Sequence, residues 1–448
     1  MGGGAVRRSE SAPWKTLPAA PARHHGRTGI QPSSQEVDVD DDGLFVIDPA
    51  GTDIHGEGAR LRARGPVTRV LLPGGLAAWS VTGYDAARQV LADDRFAKNA
   101  REHWPAYIEG TLGPDFPLIA WARMDNMSTA DGERHTRQRH LVAGAFSPRR
   151  IAFLRPRVER VVAGALDELA AYAAERPGEP VDLKLRYAHP VASRVIGELL
   201  GVPDGDPDGI LDRAGYVEPN PRKAAAEFAA LRDKIEALVA HKRREPGEDL
   251  ISDLIAAGSG GCPVSGAGEG SDAEVVGLAQ LMLNTGAEPA RNLITNTALA
   301  LLTRPGQRAL AEDGEVGWED VVEETLRTDA PVAHLPFRFA TEDVTIAGVT
   351  IARGDPVVVG YAATGRDPQV HGAAAGEFDA RHEDKRHVAF GHGVHRCVGP
   401  VLSRMEVSIA VRELFTRFPG LRLAAEPGQL PGQGTFVMNG RLALPVHL

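Results

Sequence analysis

The thirty residues from 273 to 302, AEVVGLAQLMLNTGAEPARNLITNTALALL, constrain the fold more than any other stretch. Apolar side chains recur around nearly the whole circumference at helical spacing. A helix apolar on all sides has no face to give to water and is stable only inside a large core. A chain of 448 residues is long enough to build one. Pro289 falls within the run. It has no N–H, so the carbonyl of Thr285 loses its helical partner, and a kink is predicted there.

The rest of the chain supplies what surrounds that helix. Residues 150–175 and 223–245 carry amphipathic patterns of helical period. Residues 59–96 read as helix, strand, Gly-Gly turn, strand and helix. Short strands are predicted over 337–363, and the last fifteen residues, GTFVMNGRLALPVHL, predict a hairpin. The expected fold class is mainly α, an α-rich α+β chain with small segregated sheets. No linker interrupts residues 43–448, which are expected to form a single domain. Residues 1–42 read as a disordered arm, basic and then acidic.

The net charge of −10 argues against nucleic acid as a partner, since that usually needs a basic surface. No stretch has the roughly 20 consecutive apolar residues that cross a bilayer, so no membrane partner is expected. The first residues lack the apolar segment of a secretory signal. Two cysteines cannot build a disulfide framework, which points to the cytoplasm.

Of those two cysteines, Cys262 lies in a glycine-rich connection and Cys397 in HVAFGHGVHRCVGP. A lone cysteine is most often a small buried hydrophobe. A zinc site recruiting His392, His395 and Cys397 would lack the paired clusters that structural zinc uses. Covalent haem attachment needs C-x-x-C-H, which is absent. Gly391 and Gly393 let the backbone turn tightly and approach a flat group. A helical pattern follows at once, and its N-terminal dipole favours a thiolate, as does Arg396.

The run Phe390-Gly391-His392-Gly393-Val394-His395-Arg396-Cys397-Val398-Gly399 resembles the cysteine loop of the cytochrome P-450 superfamily. The likeness extends over residues 45–448 and is greatest to soluble actinobacterial members. It implies the P-450 fold, with the long apolar helix lying over haem b. It implies Cys397 as axial ligand of the haem iron, in a loop shaped by Phe390, Gly391 and Gly399. Thiolate ligation favours O–O cleavage. His135 and Arg139, four apart on one helix face, together with Arg338 and His395, are implied to clamp the haem propionates. Glu324-x-x-Arg327 is implied to lock structurally with Arg381.

In the same family an acid and an alcohol on the long helix deliver the protons that dioxygen cleavage consumes. Here Glu288 stands at the acid position, Pro289 replaces the alcohol, and Thr285 lies one turn earlier as a second candidate. The resemblance implies a monooxygenase that hydroxylates or epoxidises a bulky natural product, small molecule or peptide. Its electrons would come from ferredoxin and ferredoxin reductase. The docking face would be Arg381, Lys385, Arg386, Arg396 and Arg404. Oxidative coupling of aromatic rings, for which Pro289 is the motive, and a non-catalytic haem protein stay open. Trp104, Trp121, Phe116 and Phe436 are candidate substrate walls.

Overall fold

The computed structural model describes residues 40, 43–113, 116–214, 221–259 and 272–448. The arm over 1–39 and Cys262 with its connection lie outside the described residues. Val39–Leu448 gather into one compact unit.

Asp272–Leu302 form one helix of 31 residues whose side chains are buried around most of its circumference. His189–Leu200, Pro221–Arg244, Trp318–Thr328 and Pro400–Arg417 pack around it. The helix does not end at Pro289; it runs on, held by the packing around it.

A six-stranded mixed sheet stands beside this helical body. Its order is Phe45–Val46, Val67–Leu72, Leu76–Val81, Pro356–Gly360, His334–Ala340 and Phe96–Ala97. The predicted Gly-Gly turn joins Val67–Leu72 to Leu76–Val81, with Gly74 and Gly75 at φ of 88° and 75°. The pairing of His334–Ala340 with Pro356–Gly360 shifts register between Leu335 and Arg338. Such an irregularity re-aims a side chain, here that of Arg338.

The C-terminal segment is not the predicted hairpin. Phe436 N–H donates to Pro49 O, Val437 O accepts from Ala333 N–H, and Asn439 N–H donates to Pro331 O. Pro445–His447 pairs with Arg422–Leu423 and with Val181–Asp182. Distant strands and loops, rather than the segment itself, take up most of these backbone groups. Local pairing is confined to residues 431–442, where Gly432 bridges Arg441, Gln433 N–H donates to Gly440 O and Leu442 N–H donates to Pro431 O.

Glu324 and Arg327 are 0% and 1% exposed and bond twice, Nε to Oε2 at 2.8 Å and Nη2 to Oε1 at 2.6 Å. Arg327 also donates to the carbonyls of Gly365, Ala375 and Glu377, at 3.0, 2.7 and 2.8 Å. All five guanidinium donors are thereby used. Asp379 N–H completes the knot on Glu324 Oε1 at 2.9 Å. Arg381 is not part of it, contrary to expectation. Its side chain is 56% exposed and pairs with Glu315. Two guanidinium donors and the Asp379 N–H already engage the Glu324 carboxylate, and Arg327 neutralises it, so a second cation is not needed there.

Glu324→Ala leaves the buried guanidinium without its counter-ion, which costs about 3–5 kcal/mol. A sharp fall in the thermal midpoint is expected, against little change for Arg381→Ala; circular-dichroism melts of both variants check this.

Candidate active site

The Cys397 loop is built by its glycines. Gly391 and Gly393 take φ of 72° and 71°. Gly391 N–H donates to Val388 O at 2.7 Å, and Cys397 N–H donates to Phe390 O at 2.8 Å. A Cβ on Gly393 would lie 2.3 Å from Leu91 O, so the loop sits directly on the end of the helix Tyr84–Ala92. A Cβ on Gly399 would come within 3.0 Å of the Phe146 ring. Phe390 packs under the Arg404 guanidinium at 4.7 Å. Gly399 caps the 18-residue helix Pro400–Arg417, and its N–H donates to Cys397 Sγ at 3.3 Å.

The sulfur is accessible, yet protein surrounds it closely enough to desolvate it. These two observations agree if Cys397 lies on a concave interior wall rather than on the outer surface. Burial pushes the thiol pKa up, while Gly399 N–H, Arg139, Arg396 and Arg404 pull it down. The wall therefore holds the groups that stabilise a thiolate, and a bound cation would complete the set.

Beside the loop lies a buried cluster of basic side chains, in which burial lowers the pKa of His135 and pushes that of His395 down to about 4, so both imidazoles are neutral rather than cationic. His135 and Arg338 are 4% and 6% exposed. The rings of His135 and His395 meet at a tilt of 44° with centroids 4.1 Å apart. Arg338 spends one bond on Phe96 O, at 3.1 Å. Arg139 is half-buried near Cys397; burial lowers its pKa and the cysteine's charge raises it. The structure thus brings together the four expected clamp residues. It adds Lys98, which is buried and lies near Arg338 and Asp131; burial and then Arg338 push its pKa down to about 7. Tyr361 also joins, close to Arg338 and Cys397, its pKa raised to about 12 by burial. Asp131 is the facing carboxylate. It accepts from the N–H groups of Lys98 and Asn99 and approaches His395 at 3.8 Å. With both imidazoles neutral, Arg338, Arg139 and in part Lys98 carry the positive charge against the carboxylate of Asp131, an excess that is costly unless an anion joins it. A flat group bearing two carboxylates, as haem b does, fits this set.

Lys98 and Tyr361 escape a reading of the sequence because strand pairing, not spacing, carries them to the loop. Asp131 had a local signal: it precedes the helix Gly132–Ala143 as its N-cap.

On the central helix, Thr285 is exposed and its hydroxyl donates to Leu281 O at 2.7 Å. Glu288 is 4% exposed; its Oε1 accepts from Gln433 Nε2 and from Arg291 Nη2, the latter at 2.9 Å. The bare Cα of Gly286 packs on Ile196. Trp104 is not an open wall. It is fully buried, stacked on Phe339 at 5.2 Å and flanked by Phe337 and Phe116. Phe436 is likewise core at 3% exposure, and Trp121 packs on the same cluster half-buried.

The outer side of the loop carries a cavity of about 410 Å³, with Arg88, Glu323, Lys385, Arg396 and Arg404 in its lining. Most of the expected docking charge is paired locally: Lys385 with Asp320, Arg386 with Asp384, Arg404 with Glu323. Burial alone would raise the Glu323 pKa, but bonds from His387 and Arg404 hold it at about 2. Arg88 and Arg396 make no ion pair among the described residues.

Gly393→Ala forces a side chain into the left-handed region, at about 1–2 kcal/mol, and against the Leu91 carbonyl. A lowered thermal midpoint is expected. Gly420→Ala, whose added Cβ meets nothing within 4 Å, is expected to melt like the parent.

The family model of Cytochrome P450 matches residues 318–435. The 2-hydroxy-5-methyl-1-naphthoate 7-hydroxylase of Streptomyces carzinostaticus is 44% identical over 408 residues, covering 90% of this chain and 97% of that protein. Cytochrome P450 monooxygenase PikC of Streptomyces venezuelae is 38% identical, covering 90% and 92%. Among solved structures, CYP154A1 from Streptomyces coelicolor A3(2) superposes with a TM-score of 0.80 at 43% identity, covering 90% of this chain and 99% of that one. Likeness of this degree, over nine-tenths of the length and around a glycine-built cysteine loop, makes this chain a member of the cytochrome P450 family and an oxidoreductase of the monooxygenase type, whose cofactor is a haem-thiolate iron.

Proposed function

We propose that this cytochrome P450 hydroxylates a bulky natural product, using dioxygen and ferredoxin-delivered electrons in the cytoplasm, with residues 43–448 as one catalytic unit. The observation that carries the reading is Cys397, exposed yet closely surrounded by protein, at a helix N-terminus beside a buried cluster of basic side chains. Relatives named for their reactions favour oxygen insertion over ring coupling: one is a naphthoate hydroxylase, one a nocardicin C N-oxygenase and one a vitamin D(3) hydroxylase. A hydroxynaphthoate is therefore the first substrate to try.

In this reading the cofactor is haem b, and a bound haem-thiolate iron supplies the activation of dioxygen. Cys397 ligates the iron through its sulfur. His135, Arg139, Arg338 and His395, with Lys98, hold the propionates, a planar guanidinium matching a carboxylate best. Phe390, Gly391 and Gly399 set the height of the sulfur. Glu288 supplies protons, and Thr285, whose hydroxyl keeps its lone pairs free, orients water on the open face of the helix. Ferredoxin approaches the outer side of the loop, where Arg88 and Arg396 retain their charge.

Wild-type enzyme under ¹⁸O-labelled dioxygen is expected to give labelled product; product without label would replace hydroxylation by ring coupling. Cys397→Ser is expected to lose the thiolate-type absorption band of the reduced carbon monoxide complex.

Focused positive charge steers an acidic partner and is screened by salt. The rate of reduction by ferredoxin should fall with ionic strength. Arg88→Glu should slow it several-fold, while Arg381→Glu, whose cation is already paired with Glu315, should change it little. Stopped-flow reduction under carbon monoxide measures both.

A further inference from the structure

Glu288 does not stand alone on the central helix. Its Oε1 accepts from Gln433 Nε2 and Arg291 Nη2, while its Oε2 is buried with no hydrogen-bond partner among the described residues. One turn on, Asn292 is 0% exposed, and both its Oδ1 and Nδ2 are buried without a partner there. Spacing of four puts the two side chains on one helix face. A Cβ on Gly440 would lie 2.5 Å from Asn292 Oδ1 and 2.7 Å from Gln433 Oε1, so Asn292 and Gln433 flank the same point. Gln433 is half-buried. Its Oε1 accepts from Lys184 Nζ at 3.2 Å, and that ammonium also donates to Arg441 O. Gln433 N–H donates to Gly440 O at 3.0 Å, which fixes the loop that carries it.

Three unsatisfied buried polar atoms facing one space cost several kcal/mol if dry. They are the partners that an internal water requires. We propose that Gln433 is a positioning residue for Glu288, and that Asn292 anchors water through which Glu288 is reprotonated from the Gln433 edge of the molecule. The inference rests on the reading of Glu288 as the proton donor. Gln433 and Arg291 occupy Oε1, so Oε2 is left as the oxygen that gains and loses the proton. Glu288 gives its proton toward the dioxygen side and becomes a carboxylate. Water held by Asn292 then protonates Oε2 and takes a proton in turn from solvent at Gln433. No electrons move in these steps. With proline at position 289, the residue next to Glu288 offers no hydroxyl, so the orientation of Glu288 governs proton supply. A misplacement of about 1 Å costs up to about a hundredfold in rate.

The test uses the full-length, haem-loaded protein with a plant ferredoxin and its reductase, dioxygen being the probe. Dioxygen consumption is measured in H2O and D2O, and reduction under carbon monoxide serves as an internal control. Gln433→Leu and Asn292→Leu are expected to slow dioxygen consumption about tenfold and to enlarge the solvent isotope effect at least twofold. Their reduction rate under carbon monoxide should match the parent. A purely structural role would not enlarge the isotope effect. Gln433→Met keeps the length of the side chain at a half-buried site, adds no charge and removes the donor to Glu288. It is expected to show the same enlarged isotope effect and covers the case in which a leucine variant does not fold. Parental isotope effects in the Gln433 variants, with a large one in Glu288→Gln, would overturn the inference and leave Glu288 as donor. A parental isotope effect in Glu288→Gln would overturn the donor reading and this inference with it.

Discussion

Arg327 is the point on which this structure closes. It is a buried cation, and a buried cation is tolerable only when every donor is used. Two donors go to Glu324 on its own helix, and three go to carbonyls of the segment that leads into the cysteine loop. The last turn of Trp318–Thr328 is thereby sewn to residues 365–379. Gly365 shows how tight the seam is, since a Cβ there would lie 1.9 Å from the Arg327 carbonyl oxygen. The path of the chain toward Cys397 is set before the loop begins.

The loop then faces an electrostatic problem that the protein does not solve by itself. Arg338 and Lys98, with the neutral rings of His135 and His395, are gathered around the carboxylate of Asp131, and Arg139 adds its charge beside Cys397. Such an arrangement raises the energy of the protein alone and is offset when an anion arrives. A preorganised excess of charge favours one ligand class over others, because the cost of assembling it is already met on folding. The same logic, with the sign reversed, holds Glu323 ionised between His387 and Arg404 on the outer side of the loop. One face of the loop is thus cationic and buried, and the other carries paired charge with Arg88 and Arg396 in excess.

The central helix combines two demands. Most of its surface is packed, as an all-round apolar helix must be. At Glu288 and Asn292 it admits polar groups into that core and pairs them only in part. Natural cores rarely leave buried polar atoms unpaired, so their concentration on one face, against a loop from the far end of the chain, marks a place where function has been set against stability.

What the sequence by itself determined were the features whose physics is local. The all-round apolar helix, the helix–strand–turn–strand–helix order of residues 59–96, the two glycines of the cysteine loop and the pairing of Glu324 with Arg327 are all written in spacing and residue type. His135, Arg139, Arg338 and His395 were singled out through family resemblance, and the structure places them near one another. Tertiary structure alone decided the rest. Arg381 stayed outside the Arg327 knot because Arg327 and a backbone N–H, that of Asp379, already engage Glu324, while Glu315 is at hand on the surface. The C-terminal hairpin did not form because residues 49 and 331–333 took up its backbone groups. Trp104 went to the core because three phenylalanine rings from other segments met it there. Lys98, Tyr361 and Gln433 joined the site through strand and loop packing across hundreds of residues, a proximity that no local pattern encodes.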